Sequence, residues 1–355
     1  MVMKKVLKIT LLCLLGLIFA LGVCVWNMFG PLVKGALSVE KLDDGLYYME
    51  FAGDDGFDEF LANGGAKDSQ ELMEYIAKFM SKGYYTVPAS SDTADFGCST
   101  LTVSTPDNNV LMGRNFDFPS ATAMILHTTP KHGYENISTF NMEFYGFGDE
   151  WLPEGFQNQF LALSGLFLAL DGINEKGFAI ADLMAGDIAE THQNTGNPSL
   201  TTTSAIAYLL KNAASVDEAV ELLGKIDMHS DIGAAHHYAM SDASGRSVVV
   251  EYVDNQMVVT ETHAVTNHYL CQQKLNAGLV VGDHRYEKLC QSYDNANGVM
   301  DKQQLNDAVF SVAQQPWDGL VGGTQWTMIM NLTEHSVTYY WRRNFDKPYS
   351  FKLNR

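Results

Sequence analysis

The chain has 355 residues, 46% of them hydrophobic and 18% charged, with a formal net charge of −19. That composition supplies a sizeable core and excludes a disordered chain. The negative balance excludes binding to nucleic-acid phosphates, which needs clustered Lys and Arg; the basic cluster is Lys4, Lys5 and Lys8, at the extreme N-terminus.

Behind those lysines, Ile9 to Trp26 is almost wholly apolar. A run of about eighteen residues sits at the lower edge for a membrane span, and no clean small-x-small cleavage site follows it. Residues 1–30 therefore read as an uncleaved signal anchor with the bulk of the chain outside, as the positive-inside rule orients it; a cleaved secretion signal is the second reading. Residues 31–97 read as a pro-segment ending at Gly97, or more plainly as a small N-terminal subdomain. Within them Leu46 to Phe51 predicts a strand, and Asp68-Ser69-Gln70-Glu71 has the form of a helix start. Leu72, Met73, Ile76, Phe79 and Met80 follow at helical spacing, and Gly83 ends that helix. Val87 to Asp92 is a turn-rich linker.

From Cys98 onward strands and helices alternate. Strands are predicted at 98–105, 110–118, 178–184, 236–241, 246–253, 256–262, 325–331 and 336–341, with a hairpin turn at Ser241 to Gly245. Helices are predicted at 202–213, 215–226, 284–295 and 301–314, the second opened by a Ser215-Val216-Asp217-Glu218 capping box. Two sheets of hairpin-linked strands with helices outside make an α+β layered sandwich.

The chemistry gathers at one cysteine. Five occur; Cys13 and Cys24 lie in the apolar leader, and Cys98, Cys271 and Cys290 remain, with no CxxC spacing. Three thiols cannot close into disulfides, so at least one is free; Cys271 and Cys290 read as buried small hydrophobes. Cys98 stands in Phe96-Gly97-Cys98-Ser99-Thr100-Leu101, and Gly113-Arg114-Asn115-Phe116-Asp117-Phe118 follows. Two strands joined by a turn at Pro106 to Asn109 would bring Arg114 and Asp117 beside the sulfur. A thiol needs a cation nearby to ionise and an oriented base to take its proton. His236, His237 and His268 have no metal-ligand spacing, and the chain has no G-x-S-x-G, Walker or G-x-G-x-x-G motif. The expectation is a nucleophilic site that needs no cofactor and no metal.

These motifs together resemble the choloylglycine hydrolase group, which takes in bile salt hydrolases, penicillin V acylases, acid-ceramidase-like amidases and related acyltransferases. Asp171-Gly172-Ile173-Asn174-Glu175-Lys176-Gly177-Phe178 resembles the group's Gly-x-Asn-Glu-x-Gly-Leu turn, Val265-Thr266-Asn267-His268 its Thr-Asn segment, and His284-Arg285-Tyr286 its Ser-Arg-aromatic helix start. The similarity covers about residues 98–345, with four motifs in register.

The resemblance implies a four-layer αββα sandwich of the N-terminal nucleophile type over residues 98–355. It also implies hydrolysis of linear amides after cleavage between Gly97 and Cys98. Cleavage would turn the Cys98 amide into an α-amine, with a pKa of about 7.7–8.0 suited to a general base. The implied roles are Cys98 as nucleophile, Asp117 on the new amine, Arg114 beside the thiolate, Asn267 as oxyanion donor and Arg285 as a brace. Met184 stands where bile salt hydrolases carry Asn and penicillin V acylases Tyr, so a second oxyanion contact would fall to its backbone N–H. That departure moves bile salts and penicillin V down the order, behind small-molecule N-acyl, mainly fatty-acyl, amides. An acyltransferase of the same group and a non-enzymatic envelope binding protein are the alternatives. The partners expected are the amide substrate and a membrane at the N-terminal segment, without nucleic acid; a homo-oligomer is compatible.

Overall fold

The computed structural model describes residues 2–83, 97–144, 151–186, 191–230, 234–315 and 323–354. The linker at Val87 to Asp92 lies outside them.

In chain order the N-terminal part comprises α1 (Val2–Leu37), β1 (Glu40–Asp43), β2 (Leu46–Gly53), α2 (Phe57–Ala62) and α3 (Ser69–Ser81). After the linker come β3 (Gly97–Ser104), β4 (Val110–Asp117), β5 (Ala123–Pro130), β6 (Asn136–Asn141), α4 (Phe156–Leu161), β7 (Asp171–Asn174) and β8 (Ala179–Met184). The middle of the chain forms β9 (Ser199–Thr201), α5 (Thr202–Asn212), α6 (Val216–Leu223), β10 (Asp227–His229), β11 (His236–Ser241), β12 (Ser247–Val253), β13 (Gln256–Glu261) and β14 (Ala264–Val265). It closes with α7 (Arg285–Asn295), α8 (Lys302–Ser311), β15 (Thr324–Asn331), β16 (Ser336–Trp341) and β17 (Pro348–Lys352).

Two sheets dominate, one of nine strands in the order β1-β2-β5-β6-β7-β8-β11-β12-β13 and one of six in the order β14-β3-β4-β15-β16-β17. Alternation along each strand puts successive side chains on opposite faces, and the core divides accordingly. One cluster, with Cys98, Phe116, Ala181, Leu183 and Trp326, fills the space between the sheets. A second packs α1, α2, α3, α5 and α6 onto the outer face of the nine-stranded sheet. A third packs α7 and α8 onto the six-stranded sheet through Leu101, Val103, Leu289, Leu305 and Val309. This is the α+β, four-layer αββα arrangement. Gly113 lies against α8: a Cβ there would clash with Val309 Cγ2.

Several local expectations hold. Asp68 caps α3 by accepting the Glu71 N–H at 2.8 Å, and Leu72, Ile76, Phe79 and Met80 are its buried stripe. Asn108 takes the positive φ that turns β3 into β4. Others need correction. Ser215 caps α6 by accepting from Glu218 N–H, but Glu218 returns its carboxylate to the Ala214 N–H, one residue before the cap, so the box is not closed. The Asn174 turn stands apart from Cys98. It lies at the end of β8 away from Met184, and Asn174 donates to the Leu210 and Ala213 carbonyls at the end of α5. Residues Asp171–Asn174 are a strand rather than part of the turn. Cys271 is buried, whereas Cys290 is only half-buried.

The apolar leader is longer than its composition alone implies. Leu14–Leu37, with mean hydropathy 1.8, is long and apolar enough to cross a membrane by length and composition. Its last turns are docked: Leu32 and Ala36 are buried, and a Cβ on Gly35 would meet Leu163 at 3.0 Å and Phe51 at 3.2 Å. The helix therefore runs without a break into the folded body.

Candidate active site

The register of one hairpin builds the centre of the site. β3 and β4 pair antiparallel, so Gly97 lies opposite Asp117, Cys98 opposite Phe116 and Thr100 opposite Arg114. Cys98, Phe116 and Arg114 thus project from one face into the space between the sheets, and Asp117 closes the strand end beside the Gly97–Cys98 bond. Asn115, on the other face, anchors the hairpin by donating to Ser99 Oγ and the Val309 carbonyl and accepting from Thr327 Oγ1.

Arg114 is fully buried. Its Nη1 donates to Cys98 Sγ at 3.3 Å and to the Asn115 carbonyl at 2.5 Å, and Nη2 donates to the Asp182 carbonyl at 3.1 Å. Its Nε pairs with Asp171 Oδ2 at 2.6 Å. The guanidinium also lies over the rings of Phe116 and Trp326, 5.1 and 5.9 Å from their centroids. A buried cation needs such matching. In this uncut chain burial pushes the Cys98 thiol up to about 11, against the pull of Arg114. The sulfur is therefore a neutral thiol at physiological pH.

The backbone of Cys98 is held as closely as its side chain. Its N–H donates to Asn267 Oδ1 at 2.6 Å, and its carbonyl accepts from Arg285 Nη1 at 3.1 Å. The same Arg285 nitrogen donates to Asp117 Oδ2 at 2.9 Å, and Arg285 Nη2 donates to Asn267 Oδ1 at 3.0 Å. Thr324 Oγ1 donates to the other Asp117 oxygen at 2.5 Å. Burial pushes the Asp117 carboxyl upward, while Arg285 and Thr324 pull it down. Asp283 grips Arg285 through Nε and Nη2 and accepts its backbone N–H. Although burial opposes it, this grip holds the Asp283 carboxyl below the usual carboxylate range.

Thus Cys98, Arg114, Asp117, Asn267 and Arg285 converge on one point, drawn from β3, β4, the chain after β14 and the start of α7. Met184 is there too, but through its carbonyl, which accepts from Asn267 Nδ2 at 2.9 Å. Asp171, Thr324 and Asp283 complete the contacts, and motif reading misses their role. Asp171 stands inside a quoted motif, yet its reach to Arg114 depends on β7 lying across the sandwich. Among the described residues no group of three or more His, Cys, Asp or Glu is placed to hold a metal ion.

With this geometry in hand, comparison with known proteins is informative. Residues 98–268 match the family of linear amide C–N hydrolases called the choloylglycine hydrolase family. A penicillin V acylase of Pectobacterium atrosepticum is 31% identical over 106 residues, 27% of this chain and 28% of that protein, so the matched stretch spans little more than a quarter of the relative's length. Among solved structures, a mutant of conjugated bile acid hydrolase from Clostridium perfringens superposes with a TM-score of 0.55 at 19% identity, covering 72% of this chain and 92% of that one. A second variant of the same hydrolase gives 0.52 at 18% identity, with the same coverage. At such identities the likeness speaks for the fold.

Proposed function

We propose, from the membership of residues 98–268 in the choloylglycine hydrolase family of linear amide C–N hydrolases, that this chain is a cysteine amidohydrolase that becomes active when the Gly97–Cys98 bond is broken. The observation that carries the reading is the 2.6 Å contact between the Cys98 backbone nitrogen and Asn267 Oδ1. The atom that scission would convert into a free α-amine already has its acceptor.

Before scission the thiol is neutral and has no base beside it, because an amide nitrogen cannot take a proton. Attack of Sγ on the Gly97 carbonyl forms a C–S bond and breaks the C–N bond, while the thiol proton passes to the departing nitrogen, leaving a thioester and a Cys98 amine. Water then releases Gly97 as a carboxylate. Gly97 offers no side chain to block that approach.

In the cleaved enzyme the α-amine, held by Asn267 Oδ1, takes the thiol proton, with Arg114 against the emerging thiolate. The sulfur attacks the substrate carbonyl. The Asn267 amide group has two N–H donors; Met184 takes one, and the other serves the oxyanion together with the Met184 backbone N–H. The amine passes its proton to the departing nitrogen, and water resolves the acyl thioester by the same route. Asp117 and Arg285 keep the amine and the Cys98 carbonyl in place.

The substrate class is N-acyl amides with an apolar, mainly fatty, acyl chain. Support comes from the aromatic and aliphatic surroundings of the sulfur: Phe116 stacks on Trp326 at 4.0 Å, Phe118 meets Phe144 edge-on, and Leu270 and Met184 pack into the same cluster. Helix α1 anchors the enzyme to a membrane with the catalytic body outside.

N-terminal sequencing and intact mass of the purified protein test the reading. A fragment of 258 residues (355 minus 97) beginning at Cys98 is expected, together with N-acyl amide hydrolysis that iodoacetamide abolishes. Active material in which Gly97 remains joined to Cys98 would overturn it.

A further inference from the structure

Asn267 stands where no ladder holds it. β14 pairs with β3 through two residue pairs, Ala264 with Leu101 and Val265 with Thr100, and then leaves the sheet. Yet the Asn267 side chain meets Cys98, Arg285 and Met184. Something outside the six-stranded sheet must fix this backbone.

The opposite sheet supplies it. His237 on β11 and Glu251 on β12 are a cross-strand pair, set directly opposite by the β11–β12 register, and neither is exposed. His237 Nδ1 lies 3.2 Å from Glu251 Oε1, and Nε2 lies 2.9 Å from the Thr266 carbonyl. Glu251 Oε1 and Oε2 accept the backbone N–H groups of Leu270 and Cys271 at 2.8 and 2.7 Å. One end of the pair therefore grips the residue before Asn267, and the other grips the segment three and four residues after it. Both His237 nitrogens face oxygen atoms, one on each side of the ring. Burial raises the Glu251 carboxyl, but His237 and the two N–H groups outweigh it and hold it in its charged form.

We propose that the buried His237–Glu251 pair is a positioning element for the reaction, a bracket reaching across the sandwich to hold Asn267 in register with the Cys98 nitrogen and the substrate oxyanion. The inference rests on the role given to Asn267 under the proposed function. A misplacement of about 1 Å at a reacting group is worth roughly a hundredfold in rate, and a bracket on the backbone either side of the donor controls displacements of that size.

A double-mutant cycle on the cleaved protein, with both pieces retained, tests it. The variants are His237→Gln, Glu251→Gln, Asn267→Ala and each of the first two combined with the third, read with the 7-amino-4-methylcoumarin amide of dodecanoic acid as probe. His237→Gln and Glu251→Gln are expected to lower kcat by about tenfold or more, with KM within about twofold of the parent. Combined with Asn267→Ala, neither lowers kcat more than about twofold further, because a residue acting through Asn267 has nothing left to lose. Single variants with unaltered kcat, or losses that multiply in the double variants, would overturn the bracket. If His237→Gln does not fold, Glu251→Gln, which preserves shape, carries the same cycle; failure of both to fold makes the pair purely structural and also overturns the proposal. Should Asn267→Ala itself leave kcat unchanged, the role given to Asn267 falls. A strong Asn267→Ala effect beside silent bracket variants removes the bracket alone.

Discussion

Arg114 and Asp171 form a fully buried ion pair, 2.6 Å apart, whose cation also touches Cys98 Sγ. Because the carboxylate already matches the charge, Arg114 does not pull the thiol of the uncut chain into the physiological range; burial wins and the thiol stands at about 11. At pH 8 such a thiol is ionised in about one molecule in a thousand. Iodoacetamide added to a mixture of cut and uncut native chains at pH 8 should therefore alkylate Cys98 of the cut form and spare the uncut form. Labelling of the uncut form should rise about tenfold per pH unit towards 11. Intact-mass and peptide analysis reads both forms in one sample, and equal labelling rates at pH 8 would refute the masking argument.

Replacing the nucleophile separates processing from an outside protease. Cys98→Ala should leave the chain at full length and without turnover. Cys98→Ser should be cut slowly at best and turn over very little, since an alcohol is the poorer nucleophile at neutral pH. Mass spectrometry of freshly purified protein decides. A Cys98→Ala chain that is still cut after Gly97 points to another protease and removes self-activation from the reading.

The cleaved enzyme should have an alkaline-rising profile. On the proposed reading its base is an α-amine, with an ordinary pKa of about 7.7–8.0, and only the unprotonated amine can accept the thiol proton. On this basis kcat/KM rises with pH through roughly 7 to 8. The Asp283–Arg285 brace stays charged over that range, because Asp283 is held below the usual carboxylate range. A rate that falls as pH climbs from 6 to 8 would exclude the amine as base.

Much of this site is legible in the chain because it is local. The β3–β4 hairpin is declared by two alternating runs and a Pro-Asp-Asn-Asn turn, and its register alone sets Arg114 and Asp117 against Cys98. Asn267 and Arg285 are far away in sequence and become visible only through motif resemblance, since no periodicity reports that the chain after β14 and the start of α7 meet at Cys98. The supporting shell is dark for the same reason. Thr324 reaches Asp117 because β15 pairs with β4, and Asp171 reaches Arg114 because β7 belongs to the facing sheet. Strands β5 and β6 were also not predicted: β5 follows a Pro-Ser-Ala-Thr stretch and ends in Pro130, and β6 mixes Asn, Ser and Thr with two apolar residues. β6 is buried along its whole length and β5 over Ala123 to Leu126, so burial on both faces and not propensity decides there.

The segment before Cys98 yields the last prediction. As sequence, residues 31–97 read as a piece to be removed. As structure, β2 lies parallel to β5 over eight residue pairs, from Leu46–Ala123 to Gly53–Pro130, inside the nine-stranded sheet. Phe57 stacks on Phe167, and Phe60 and Phe79 meet the same ring edge-on. Lys211 on α5, almost wholly buried, donates to Asp55 at 2.9 Å and to Asp58 at 2.8 Å. Breaking the bond after Gly97 removes none of these contacts. The cut chain should therefore remain a two-piece particle, co-eluting on native gel filtration and separating only in denaturant, with the piece bearing α1 still attached. Lys211→Met strips the buried Asp55 of its partner, a change that costs about 3–5 kcal/mol. It should lower the melting temperature of the cut protein and loosen the N-terminal piece, with Asp55→Asn in the same background restoring part of the loss. Recovery of an active fragment starting at Cys98, free of the N-terminal piece after gentle gel filtration, would show that the sheet closes without β1 and β2 and that these contacts serve folding only.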